Sequence, residues 1–164
     1  MTVDDKIKFA EYFLNKIKDA PTREELLPNF SAFLSEAKSI ADHLLQDYNS
    51  KFGFEIQYLT PKTFKEKACD EVNLDALKFI SIYNNKLQKL RKNKLANYLF
   101  KKRNDYVHKE SDPLRGHFSR GMIDSVEWEF VDYDNIDKNV VTLCEEYLNL
   151  MKKFVTDLKS EFSG

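Results

Sequence analysis

Apolar side chains recur along most of this chain at intervals of three and four residues, the spacing that puts them on one face of a helix. Ile7, Ala10, Phe13, Leu14 and Ile17 form the first such stripe, which Pro21 ends. Thr22 is a good N-cap, and Glu25 three residues on completes a capping box. Behind it Phe30, Phe33, Leu34, Ala37, Ile40, Ala41, Leu44, Leu45 and Tyr48 predict the strongest helix of the sequence. Pro28 near its start is expected to delay the regular part by a turn, and Gly53 breaks the pattern. From Phe54 to Pro61 the chain reads as irregular or briefly extended.

A third stripe runs through Leu74, Leu77, Phe79, Ile80, Tyr83, Leu87 and Leu90. It loses phase around Arg91–Lys94 and resumes as Leu95, Tyr98, Leu99 and Tyr106, so the pattern predicts one kinked helix or two consecutive ones. Residues 109–121, with Pro113, Gly116 and Gly121, read as a polar loop long enough to suggest a function. Val126, Trp128 and Phe130 alternate with Glu127 and Glu129, as in a short extended stretch. Ile136, Val140, Leu143, Cys144, Tyr147, Met151, Phe154, Leu158 and Phe162 predict a long final helix. No repeat, low-complexity stretch or linker divides residues 1–164, so one domain is expected. The fold class expected is all-α: an up-and-down bundle of four long helices with short extra helical or extended segments.

Composition agrees with helices. Only four Gly and four Pro occur among 164 residues, too few for a sandwich or barrel of many tight turns. With 42% hydrophobic residues, including thirteen Phe and eight Tyr, the chain has ample material for a core. The acidic start, Met1–Asp5, lacks the apolar centre of a signal peptide, and no apolar run approaches the ~18 residues of a membrane span. Cys69 and Cys144 lie far apart in helical patterns and are expected to be reduced core residues. The cytoplasm is the compartment these features predict.

Net charge is only −1, but it is segregated. Between Lys86 and Lys109, nine basic residues stand against Asp105 alone, whereas residues 123–146 hold eight acids and one lysine. A basic helix of this kind can draw a phosphate backbone by counterion release. It can equally be a solvated face, or pair with the acidic segment within the molecule or across a dimer. Tyr98, Phe100 and Tyr106 interleave with these cations and either stack on bases or belong to the core.

Within that segment stands Lys101-Lys102-Arg103-Asn104-Asp105-Tyr106-Val107-His108: an arginine, a polar residue directly after it, and a histidine five positions on. An imidazole ordinarily titrates at about pH 6.5 and can serve as base in one state and acid in the other. A guanidinium stays charged and offers a planar fork to two phosphoryl oxygens. At ~100° per residue, Arg103 and His108 fall ~140° apart on an ideal helix. The helix therefore ends between them, or a second chain completes the site.

This motif, closing a basic helix in an all-helical chain, resembles that of the HEPN superfamily, helical bundles bearing Arg-x4–6-His, often with a polar residue after the arginine. Phe30–Tyr48 is also similar to the aromatic- and alanine-containing second helix of that family. The resemblance covers most of the chain loosely and residues 95–110 specifically. It implies a metal-independent endoribonuclease with no cofactor, acting as a homodimer and leaving 2′,3′-cyclic phosphate ends. A toxin or defence role, with an antitoxin or regulatory protein as partner, belongs to the same implication. Arg103, Asn104 and His108 are then the catalytic candidates, with Lys101, Lys102, Lys109 and Tyr106 as substrate contacts. Toxins of this family that are controlled by nucleotidyltransferases carry a tyrosine two residues after the histidine; Glu110 stands there, so that control is not expected. The alternative is a non-catalytic HEPN-like binding or dimerisation module, or a plain RNA-binding bundle. No glycine-rich phosphate loop and no paired-cysteine or His-Glu-x-x-His zinc pattern occurs, and His43 and His117 are read as non-ligating.

Overall fold

The computed structural model describes residues 1–108, 118–120 and 127–163, with the side chains of 105–108 and 118–120 outside the description. Among the described residues are six helices: α1 (Val3–Lys18), α2 (Arg23–Lys51), α3 (Pro61–Asp70), α4 (Leu74–Lys92), α5 (Lys94–His108) and α6 (Val140–Ser163). Two short strands, β1 (Phe118–Arg120) and β2 (Trp128–Phe130), pair antiparallel with Phe118 opposite Phe130. The chain is thus mostly helical, as its periodicity predicts.

Threonines start the early helices. Thr2 and Asp5 form a reciprocal capping box on α1, and Thr60 and Thr63 form one on α3, where Pro61 supplies the preset first turn. At α2, Thr22 accepts from the Glu25 N–H at 3.3 Å, which is the cap half of the expected box. Pro28 lies inside α2 and delays nothing, because the helix is regular from Arg23. So near the N-terminus a proline forfeits one backbone bond, and Asn29 Nδ2 donates to the Glu25 carbonyl at 2.8 Å there.

α2 ends as its glycine predicts. Gly53 adopts φ +70°, its N–H donates to Ser50, and the Phe54 N–H reaches back to Asn49 at 2.9 Å. The same closure ends α3, but its left-handed position holds Val72 at φ +51°. α3 itself has a weak stripe, only Phe64 and Ala68 being buried, and the hydrophobic pattern does not announce it.

Side-chain pairs fix the directions. Val3 N–H donates to Asp47 at the far end of α2, so α1 and α2 run antiparallel. Lys18–Glu145, Glu11–Lys152 and Asp4–Lys159 order α6 antiparallel to α1. Phe33 meets Tyr147 and Tyr48 meets Phe162, so α6 runs parallel to α2. Tyr48 stacks on Phe79 with centroids 4.0 Å apart, and the Tyr83 hydroxyl donates to the Ala41 carbonyl, placing α4 antiparallel to α2. The core sits between these four helices. An aromatic cluster of Tyr48, Phe52, Phe54, Phe64, Phe79 and Phe162 closes one end.

The extended stretch at 126–130 appears as β2 over Trp128–Phe130, with Val126 outside the described residues. Trp128 and Phe130 point inward: the indole N–H donates to Ala20, and Phe130 packs on Phe30. The loop expected over 109–121 lies largely outside the described residues, but 118–120 is strand. Ile136 does not belong to the final helix and is fully exposed. Asn139, whose Oδ1 accepts from the Thr142 N–H, caps the helix three residues later. Cys144 is buried on α6 as expected, whereas Cys69 is exposed on α3 and is not a core residue. Among the described residues no helix is long and apolar enough to cross a membrane.

Candidate functional site

The motif sits on α5, and the start of α5 is set by one residue. Asn93 leaves the helical conformation at ψ 128°; its N–H donates to Leu90 while its Oδ1 accepts from Ala96 N–H at 3.0 Å. One side chain thereby ends α4 and begins α5, which settles the choice between a kinked helix and two helices.

α5 buries Leu95, Ala96 and Leu99, and the next position on that face is Lys102. Only 6% of Lys102 is exposed, and its ammonium is bound to the Asp132 carboxylate while lying 5.3 Å from the Tyr98 ring centre. Tyr98 donates its hydroxyl to the other Asp132 oxygen at 2.6 Å and packs edge-on to Phe130. Burial, then the hydrogen bond to Asp132, push the Tyr98 phenol well above its ordinary range. Beside it Lys94 donates to the Asp134 carbonyl and lies over Tyr133. The acidic segment after β2 is therefore tied to the buried side of α5. Lys102, expected to contact substrate, is held in this internal pair, and Tyr98 is a packing residue.

Other cations are differently placed. Lys86 pairs with Glu161 at 2.6 Å. Lys89, Arg91, Lys92, Lys101 and Arg103 make no ion pair among the described residues. Lys101 is exposed; Arg103 and Asn104 are half-buried. Arg103 Nη1 points to Asn104 Oδ1 at 3.5 Å, while its Nε is buried without a hydrogen-bond partner. On α2, Lys38 lies over the Phe100 ring at 4.3 Å. Its ammonium pKa is lowered first by burial and next by the Arg103 charge; Asp42 opposes the shift, and Arg91 adds to it more weakly. These three cations thus share one surface.

The helix does not end between Arg103 and His108, since α5 continues through His108. The side chains of His108 and Tyr106 and the whole of Lys109 lie outside the described residues, as do Glu110 and His117. His43 is half-buried on α2 and donates from Nδ1 to the Ser39 carbonyl at 3.0 Å. Sequence reasoning missed Lys38, which sits in the gap of a core stripe and joins the cationic surface only through packing. It also left open the pairing of Lys102 with Asp132, for which opposite charge runs were the sole signal.

Among the described residues no group of three His, Cys, Asp or Glu side chains is placed to hold a metal ion. Comparisons with family models, with curated proteins and with solved structures find no match to this chain.

Proposed function

We propose that this chain is a HEPN-type, metal-independent endoribonuclease, a helical bundle acting as a homodimer. The observation that carries the reading is the placement of Arg103, Asn104 and His108 in the last turns of one helix, where Arg103 has no carboxylate partner among the described residues. A guanidinium free of carboxylate is available to phosphoryl oxygens. In the reaction, the His108 imidazole takes the 2′-hydroxyl proton and O2′ attacks the adjacent phosphorus. The imidazolium so formed returns its proton to the departing 5′-oxygen, and a 2′,3′-cyclic phosphate remains. Arg103 offsets the charge gathering on the phosphoryl oxygens. Asn104, in reach of Arg103, orients it, and exposed Lys101 meets the flanking backbone.

A continuous helix through His108 sets Arg103 and His108 ~140° apart by helical geometry. This supports a site completed by a second copy, the arginine of one subunit meeting the histidine of the other. A toxin or defence effector, held by an antitoxin, is the biological setting of this reading.

The test is incubation of the purified protein with total RNA in excess chelator, beside His108→Ala and Arg103→Ala. Each variant is expected to lose about 10²–10⁴-fold in cleavage rate, and the parent products are expected to end in cyclic phosphate. Equal cleavage by the double variant, or a monomer at micromolar concentration, would overturn the site. One observation favours a second reading, a non-catalytic HEPN-like binding or dimerisation module: Lys94 and Lys102 serve the fold rather than a ligand. A dimer that neither cleaves nor binds RNA would establish it, whereas salt-sensitive RNA binding without cleavage by all three proteins would point to a plain RNA-binding bundle.

A further inference from the structure

We propose that the cleft between α2, α4, α5 and α6 is a binding site for a small organic anion with an apolar body. The cleft is open to solvent and holds about 270 Å³, just below the usual range of small-molecule pockets. Two alanines make the room: Ala41 on α2 and Ala96 on α5 both line it, where larger side chains would close it. Leu87, Leu90 and Met151 provide apolar walls, and the exposed part of the Phe100 ring faces the same space. Lining this apolar cleft are two charged cations, Lys38 and Arg91, with Asp42 as its one acid.

Charge complementarity selects the ligand. Neither Lys38 nor Arg91 makes an ion pair among the described residues, and the Lys38 ammonium rests on the Phe100 ring. Arg103 is close enough to add to the repulsion felt by Lys38, as is Arg91. Three neighbouring cations against one carboxylate leave a positive field beside the apolar walls of an open cleft, which favours an anionic group there. A neutral apolar molecule would gain only the walls, and a fully hydrated anion only the rim. None of the lining residues is assigned a catalytic role; the one group shared with the ribonuclease reading is Arg103, which adds to the field from outside the lining.

The probe is naphthalene-2-sulfonate, compared with neutral 2-naphthalenemethanol, titrated into protein carrying ¹³C methionine methyls. The three methionines give three signals, and loss of one in Met151→Leu assigns the reporter inside the cleft. The Met151 methyl is expected to shift saturably at one equivalent, with the sulfonate bound at least about tenfold more tightly than the alcohol. Lys38→Gln and Arg91→Gln should each weaken the sulfonate about three- to tenfold and leave the alcohol unchanged. Ala96→Leu, or Leu87→Trp should that variant not fold, should abolish both. A Met151 methyl that does not respond, equal affinity for the two compounds, or indifference to both charge variants would each overturn the proposal.

Discussion

Val72 holds the left-handed position that closes α3, a place where a branched side chain crowds its own backbone. The residue is 74% exposed, so it gains little there in return. Val72→Gly is expected to raise stability by about 1 kcal/mol, read as a higher urea midpoint at unchanged slope. Asp132 gives the opposite case. It accepts from both Lys102 and Tyr98, and removing it takes a carboxylate away from a buried ammonium. Asp132→Ala is expected to cost about 2 kcal/mol, below the usual loss for a buried pair because this carboxylate reaches solvent. Lys102→Met with Asp132→Ala should recover most of that loss, which a double-mutant cycle with the two single variants measures. At this scale the sequence marked Lys101, Lys102 and Arg103 alike as candidates for substrate. It did not distinguish Lys102 from the other two, because three consecutive basic residues look alike until the helix phase is fixed to within one position.

Elements were legible where apolar stripes are long. α2, α4 and α6 follow from their spacing, and the phase loss at Arg91–Lys94 marks the α4–α5 break. α3 was not, since a ten-residue helix with two buried side chains carries almost no periodic signal and is set by its capping box. Ile136 was assigned to the last helix because it keeps the spacing, yet Asn139 starts that helix later. Asn93 is the position at which an element boundary can be tested. Asn93→Ala removes the bond to the Ala96 N–H and restores helix propensity across the break. A net loss of about 1 kcal/mol is expected from denaturant unfolding, together with faster amide exchange in the first turn of α5.

For the molecule as a whole, the two charge runs are joined in part by the fold. Lys94 and Lys102 bind the segment after β2, and the remaining cations gather on α4, α5 and Lys38 of α2. A second global property follows from the buried phenols. Burial raises Tyr83, Tyr98 and Tyr147 above their ordinary range, with Asp132 strengthening the effect at Tyr98. A folded pKa above the unfolded one gives stability that is complete below about pH 10 and declines as pH rises past it. Unfolding free energy should therefore fall steadily above about pH 10, with the tyrosinate absorbance of these three buried phenols appearing together with loss of helical circular dichroism. Separate titration of these phenols in a folded protein would contradict the packing described.

The position of α6 governs how the chain reaches this state. It lies against α1, α2, α4 and α5, so its apolar face supplies the wall that four other helices share. As the ribosome releases the chain in sequence order, α1 and α2 can form their hairpin early, but Phe33, Tyr48, Phe79 and Tyr83 stay without their aromatic partners on α6. A nascent chain therefore carries an open hydrophobic seam until all of α6, through Phe162, has been made and released.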